Sequence, residues 1–235
     1  YAAFAGQQEI VVTNEKFGYT NLPPGLKDYK IVQLSDVHIG ASIDLDDFDE
    51  ILKLALLQKP NRVVITGDLI DKLAWLPEVC ERLTTFAKQI PDGVDFILGN
   101  HEYHHDVNKV LDELKHNTPM NILVNSNIQI MGGKQPVYIA GVAYDNDREK
   151  EKREAMIDKA LSGIPDYAFV ILLAHHPEFF EEAIERKIPL TLSGHTHGGQ
   201  IVFMGMPLVP TGTPYTKGRY VEEQSVCYVN NGSGH

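Results

Sequence analysis

Short apolar runs recur along the chain at residues 31–34, 63–66, 94–98, 168–173 and 190–192, each too short for a helix and built largely of Val, Ile, Leu and Phe. Runs of this kind predict buried strands. Between several of them the apolar positions switch to helical spacing, as in Phe48, Ile51, Leu52 and Ala55, or Val79, Leu83, Phe86 and Ala87. The same spacing returns at Val107, Val110, Leu111 and Leu114, and at Phe179, Phe180, Ala183 and Ile184. Strands alternating with amphipathic helices predict an α/β core of layered sheets with helices outside. Runs at 138–142 and 226–229 add strands and point to a second sheet. Residues 10–12 and 17–19 are expected to form a flanking hairpin or edge strand, and Asn21-Leu22-Pro23-Pro24-Gly25 to turn the chain into the core. Residues 147–160 mix both charge signs, the pattern of a solvated helix with Glu/Lys pairs.

Composition narrows this picture without changing it. At 235 residues and 43% hydrophobic content, the chain suits one α/β domain over residues 1–235. A net charge of −11 argues against broad adhesion to nucleic acid or anionic lipid. Cys80 and Cys227 lie far apart, match no metal spacing and are read as buried small hydrophobes. No stretch approaches the roughly 18 apolar residues of a membrane span. Tyr1-Ala2-Ala3-Phe4-Ala5 is read as the remnant of a signal or anchor, or as an ordinary frayed start.

The chemistry sits where the apolar runs stop. Residues 31–34 lead into Ser35-Asp36-Val37-His38, 63–66 into Gly67-Asp68-Leu69-Ile70-Asp71, and 96–98 into Gly99-Asn100-His101-Glu102. Residues 171–174 lead into His175-His176-Pro177, and 190–192 into Ser193-Gly194-His195-Thr196-His197-Gly198-Gly199-Gln200. Ligands in open α/β sheets gather beyond the carboxyl ends of strands, so clusters at such ends converge on one crevice. Carboxylate and imidazole without thiolate suit Mn, Fe, Zn or Mg rather than a structural cysteine-type zinc. Asp36 and His38, two apart at a strand end, are expected to point the same way, as are His195 and His197. The flanking glycines allow sharp turns and close backbone approach. Taken singly, each residue has an ordinary structural explanation as a cap or turn former; the ordered set, each member after an apolar run, does not.

Asp-Val-His, Gly-Asp-Leu-Ile-Asp, Gly-Asn-His-Glu, His-His-Pro and Gly-His-Thr-His, in that order from Asp36 to His197, resemble the signature of the calcineurin-like metallophosphoesterase superfamily. The ending Gly-His-Thr-His-Gly-Gly-Gln, with Ala-His-His-Pro-Glu upstream and Val229-Asn230-Asn231-Gly232 near the terminus, is similar to a bacterial branch. That branch holds membrane- or envelope-associated phosphoesterases and the UDP-2,3-diacylglucosamine pyrophosphatases of lipid A synthesis.

The resemblance implies a four-layer α-β-β-α sandwich and two divalent ions, with manganese first among the metals. One ion would be held by Asp36, His38 and His197, a second by Asn100, His175 and His195, with Asp68 bridging. His101 would contact the phosphate or protonate the leaving oxygen, and Asp71 would orient and charge it. His176 is expected to be a neighbour or substrate contact, and His104 and His105 surface polar residues in preference to substrate contacts. Lys72-Leu73 stands where the protein-phosphatase branch has Arg-Gly, which argues against protein phosphatase activity. Four positive charges less Asp36 and Asp68 would leave the cleft at about +2, enough to attract phosphate to an acidic protein.

The implied reaction is hydrolysis of a phosphomonoester, phosphodiester or pyrophosphate bond by a metal-bridging hydroxide. Absence of a Ser or Cys nucleophile motif beside the cluster speaks against a covalent intermediate. Expected substrates are small phosphate esters, nucleotide-linked or lipid, rather than nucleic acid, for which no basic aromatic groove is evident. The competing readings are a UDP-2,3-diacylglucosamine pyrophosphatase and a catalytically silent binding module of the same fold. Membrane or envelope association is expected, with a cytoplasmic location as the alternative. Leu73 to Pro77 and Phe203 to Pro207 would offer a lipid an apolar entrance, or simply pack as buried loops.

Overall fold

A computed structural model describes residues 10–143, 149–197 and 213–234, together with the backbone of 202–203 and 206–207. The N-terminal half contains β1 (Ile31–Leu34), α1 (Leu45–Leu57), β2 (Arg62–Thr66), α2 (Leu76–Ala87) and β3 (Val94–Ile97). It continues through α3 (Asn100–His104), α4 (Val107–Asn117), β4 (Asn121–Ile122) and β5 (Ser126–Met131). The second half contains β6 (Val137–Gly141), α5 (Lys150–Leu161), β7 (Phe169–Leu173), α6 (Phe179–Glu185) and β8 (Leu190–Ser193). Beyond these lie β9 (Val202–Phe203), β10 (Met206–Pro207), β11 (Gly218–Glu222) and β12 (Ser225–Val229).

Two principal sheets form, one ordered β1-β2-β3-β4 and all parallel, the other β11-β12-β8-β7-β6-β5 with antiparallel pairs only at its two edges. Alternation along each strand distributes side chains to two faces. In β2, Val63 and Ile65 enter the core under α1, α2 and α4, while Val64 joins the core between the sheets. In β7, Phe169, Ile171 and Leu173 face that same central core, while Val170 and Leu172 pack against α5 and α6. Three apolar interleaves separate four layers, in the order helix, sheet, sheet, helix. This is the expected α-β-β-α sandwich.

Helix α1 begins at Asp44, whose carboxylate accepts the N–H groups of Asp46 and Asp47 while the Asp47 carboxylate accepts the Asp44 N–H. Such a reciprocal cap satisfies N–H groups that the first helical turn leaves unpaired. The charged segment expected to form a solvated helix is α5, and its charges reach across to the neighbouring helix. Arg153 pairs with Glu181 and Glu182, Lys150 with Glu185, and Arg186 with Asp158.

Residues 10–19 differ from expectation, forming neither a hairpin nor a strand. Val11 is 79% exposed, and a β-prone run without a pairing partner among the described residues has nothing there to repay its ordering. Phe17 and Tyr19 instead lie edge-on to Tyr228 and Phe169 of the second sheet, and the Tyr19 hydroxyl donates to the Pro189 carbonyl. Leu76 is buried in the first core with the partly buried Leu73 and Trp75 packed against it, while Ala74 and Pro77 are exposed. The side chains of residues 203–207 and the glycines Gly198 and Gly199 lie outside the described residues.

Candidate metal centre

The residues singled out in the sequence stand just beyond the carboxyl ends of parallel strands in both sheets. Asp36 and His38 follow β1, Asp68 and Asp71 follow β2, and Asn100 and His101 open α3 after β3. From the second sheet, His175 follows β7, and His195 and His197 follow β8. The way the backbone presents them differs from the sequence argument. Asp36 and His38 do not extend the strand: both are left-handed, at φ 51° and 52°. Ten described non-glycine residues have positive φ, and Asp36, His38, Asp68, His195 and His197 are five of them. Each such conformation costs on the order of 1–3 kcal/mol and persists only where the surroundings enforce it.

Glycine makes the enforcement sterically feasible. A Cβ on Gly194 would collide with Ser35 Oγ and Asp36 Oδ2, and one on Gly99 with Asp68 Oδ1. The loops of the two sheets therefore interlock at van der Waals distance. His195 N–H donates to both oxygens of Asp36, at 3.0 and 3.1 Å, and Ser35 Oγ donates to Asp36 Oδ2 at 2.5 Å.

Donor atoms converge in overlapping groups. Asp36, His38 and His197 bring one ligand atom each within 4.8 Å of one another, as do Asp36, Asp68 and His175, and His175, His176 and His195. Within these, His38 Nε2 and His197 Nε2 are 3.3 Å apart, and His197 Nε2 lies 3.5 Å from Asp36 Oδ1. Asp68 Oδ2 lies 3.1 Å from His175 Nε2 and 3.8 Å from His38 Nε2, so it faces both sets. Asn100 Oδ1 is 3.1 Å from His175 Nε2, and His175 Nδ1 meets the Thr66 carbonyl at 2.8 Å. That last bond fixes the ring with Nε2 toward the centre, the arrangement a coordinating imidazole needs. His176 lies flat against His195 with ring centroids 3.7 Å apart.

Charge in the site is unbalanced in a way that suits cations. Burial disfavours the imidazolium of His175, yet the Asp68 carboxylate outweighs it and pushes the pKa up to about 10. Burial would raise the Asp68 carboxyl, but His175 and the bonds from His101 hold it below the usual carboxylate range. Burial, with His176 and His175 nearby, pushes His195 down to about 2 and keeps its lone pairs available. Buried carboxylates that draw positive charge, beside the neutral His195 imidazole and an amide oxygen and with no thiolate, form a hard-to-borderline donor set. The residues present fit divalent ions.

His101 and Asp71 form a pair beside this cluster. His101 Nδ1 hydrogen-bonds Asp71 Oδ1, while Asp71 Oδ2 meets His38 Nδ1 at 2.9 Å. The bond from Asp71 raises the His101 pKa. Burial would raise the Asp71 carboxyl, but its bonds to His101 and His38 hold it well below the ordinary range. One carboxylate thus orients both His101 and His38.

Some functional positions were not evident as such from sequence. Glu102 is completely buried, and its carboxylate accepts the N–H groups of Gly99, Asp68 and Leu69 at 2.7, 3.0 and 2.7 Å. Its place three residues after Gly99 is the spacing of a helix N-terminal cap, a signal that was available. His105, expected at the surface, is half-buried with Nε2 3.4 Å from Asp71 Oδ1, whereas His104 is exposed.

The family model for the calcineurin-like phosphoesterase matches residues 29–199, a segment holding all of these side chains. An uncharacterized metallophosphoesterase of Campylobacter jejuni is 36% identical over 220 residues, covering 91% of this chain and 56% of its own. A transmembrane protein with metallophosphoesterase domain from Danio rerio is 29% identical over 247 residues, covering 100% of this chain and 55% of its own. A crystal structure from Thermus thermophilus is similar at a TM-score of 0.57 and 14% identity, covering 88% of this chain and 90% of its own. The chain spans little more than half the length of the curated relatives it matches first. With the matched segment enclosing the whole cluster, the chain belongs to the calcineurin-like phosphoesterase family.

Proposed function

We propose that this chain is one catalytic domain, a phosphoesterase using two divalent ions to hydrolyse a phosphate ester or pyrophosphate by direct attack of water. The observation that carries the reading is the position of Asp68, whose Oδ2 faces His175 on one side and His38 on the other. Asp36, His38 and His197 would hold one ion, and Asn100, His175 and His195 the other, with Asp68 shared between them. Bound there, two ions would stabilise negative charge on the reacting oxygens and lower the pKa of water toward neutrality. Oxygen and imidazole donors without sulfur support manganese as the first choice.

The chain's own groups supply the rest. His101, oriented and charged by Asp71, presents a proton to the leaving oxygen; a positioned acid of this kind contributes about 10²–10⁴-fold. Asp71 at the same time keeps the His38 Nδ1 position occupied and its Nε2 turned inward. Peripheral membrane association is the finer part of this reading. It is supported by the name of the Danio rerio relative, although no helix among the described residues is long and apolar enough to cross a membrane. Flotation with liposomes would test it.

The deciding experiment combines metal analysis with turnover of bis-p-nitrophenyl phosphate, p-nitrophenyl phosphate and UDP-linked sugars. The expected result is two ions per chain, activity lost on chelation and restored by manganese, and oxygen-18 from water in the phosphoryl product of a single turnover. A chain that binds ions but turns over none of these with Mn, Fe, Zn or Mg would be the catalytically silent module instead. A trapped phosphoenzyme would overturn direct attack.

A further inference from the structure

Asp36 lies on the outer edge of the first sheet, since β1 has β2 on one side only. On that inner side the strand pairing continues past β1, with Asp36 N–H donating to the Gly67 carbonyl at 3.1 Å and His38 N–H to the Asp68 carbonyl at 3.0 Å. The outer side is covered by the segment that follows β12. Ser233 N–H donates to the Ser35 carbonyl at 2.7 Å, Ser35 N–H donates to Ser233 Oγ at 3.2 Å, and Gly234 N–H donates to the Asp36 carbonyl at 3.3 Å.

The same segment is anchored to the second sheet a few residues earlier. Asn230 N–H donates to the Ser193 carbonyl at 2.8 Å, Asn230 Nδ2 to the Gln33 carbonyl at 3.4 Å, and Asn230 Oδ1 accepts Gly232 N–H at 2.8 Å. Ser193 directly precedes the Gly194-His195 turn that closes on the Asp36 carboxylate. Residues 230–234 therefore tie the β1 loop and the β8 loop together beside the two turns that present Asp36 and His195. They lie outside the segment the family model matches. Gly234 is buried, and a Cβ there would collide with the Val37 carbonyl oxygen, between Asp36 and His38.

We propose that residues 230–234 are a positioning clasp for the metal centre, with Ser233 and Gly234 holding the left-handed Asp36 loop in its ligating conformation. The inference rests on the two-ion reading above and deepens it. A left-handed aspartate and histidine separated by one residue relax unless both flanks are tied. One tie is the Gly67-Asp68 loop of the same sheet; the other is this clasp, which also fixes the distance to the second sheet's histidines. Neither Ser233 nor Gly234 presents a side chain to an ion, so their role is exerted through Asp36. Outer-shell partners of metal ligands alter affinity by about 10- to 100-fold when removed.

The test is manganese titration of the apo chain by calorimetry, with ion stoichiometry by elemental analysis, for wild type, Gly234→Val and Ser233→Ala. Gly234→Val is expected to weaken one of the two ions by about 10- to 100-fold. Ser233→Ala, which keeps the backbone bonds and loses only the Oγ acceptor, should shift the same ion less. Half-saturating manganese for turnover should rise in step, with kcat recovering at high manganese. Val226→Ala, a cavity in the central core at the opposite end of β12 from the clasp, lowers thermal stability as a control and should leave manganese affinity unchanged. Equal loss of affinity in Val226→Ala and Gly234→Val would reduce the effect to general destabilisation and overturn the clasp. So would wild-type affinity for both ions in Gly234→Val. Wild type binding no ion at all would sink the two-ion reading, and the clasp with it, by a separate result. If Gly234→Val does not fold, Ser233→Ala alone decides: unchanged affinity for both ions overturns the proposal.

Discussion

Glu102 lies wholly buried beneath Asp68, with Oε2 accepting the Asp68 N–H at 3.0 Å and also the Gly99 N–H at 2.7 Å. Its other oxygen takes the Leu69 N–H at 2.7 Å, so one carboxylate ties the β2 loop to the start of α3. Burial and the nearby Asp68 charge push its pKa upward, while the three N–H donors favour the ionised form. Substituting Glu102→Ala strands those donors in the interior, and a hydrogen bond to a charged group is worth about 1.5–3 kcal/mol. Glu102→Ala is therefore expected to lose at least about 3 kcal/mol of stability by urea denaturation. Glu102→Gln, which keeps the volume but turns an N–H₂ toward N–H groups, should lose less stability and still weaken metal binding. Wild-type stability in Glu102→Ala would mean that these three bonds do not hold the two loops together.

Asp68 and His101 should separate metal binding from chemistry. Asp68→Asn weakens the shared ligand, so metal and activity are expected to disappear together. His101→Ala should keep both ions, since His101 reaches the cluster through Asp71, and should lose about 10²–10⁴-fold in kcat. Elemental analysis beside steady-state kinetics reads both. Two ions at wild-type occupancy in Asp68→Asn would remove the bridging role.

Asp71 makes a sharper case, because its two oxygens serve different partners. One bonds His101 and the other bonds His38 at 2.9 Å. Asp71→Asn is expected to combine the two phenotypes: kcat falls as in His101→Ala, and manganese affinity falls about 10- to 100-fold through loss of the His38 support. A double-mutant cycle between Asp71→Asn and His101→Ala should show strong non-additivity in kcat and none in metal affinity. Full additivity in kcat would mean that the Asp71–His101 bond does not contribute to turnover.

How legible this was depended on burial. Strands β2, β3, β7 and β8 were readable because they are buried at every position, which leaves mostly apolar runs, and β1 was readable from Ile31, Val32 and Leu34 although it is only partly buried. β5 and β11 escaped because they are sheet edges: Asn127 and Gln129 in one, Arg219 and Glu222 in the other, break the pattern where one face is wet. Residues 10–12 show the converse, a β-prone run with no partner strand among the described residues. At the centre, residue identities were legible because Asp, Asn and His at strand ends have specific chemistry. Their left-handed backbone was not, because it is imposed by contacts distant in sequence, such as Gly194 against Ser35 and Ser233 against Ser35. The approach of the partly exposed His105 to Asp71 was not legible for the same reason: only the turn after α3 brings its ring there.

Tyr19 links pH to the stability of the region where residues 17–19 meet the second sheet. Its hydroxyl donates to the Pro189 carbonyl at 2.9 Å, its ring lies edge-on to Phe169, and burial pushes the phenol up to about 12 against an ordinary 10.0. Arg219 pulls the other way and is outweighed. Because the folded pKa exceeds the unfolded one, the neutral phenol is the form that folding favours. Its contribution is complete below pH 10.0 and fades as the pH climbs toward about 12. Tyr19→Phe keeps the ring packing, removes the hydroxyl and cannot titrate. At pH 8 the variant should be less stable than wild type by about 1 kcal/mol, the net worth of one hydrogen bond. Above pH 10 the gap should close, since wild type must either keep a proton the solvent is removing or bury a phenolate. Urea denaturation of both chains across pH 8–12 measures this directly; a constant gap would mean that Tyr19 titrates alike in the folded and unfolded chains, and a widening one that folding favours the phenolate.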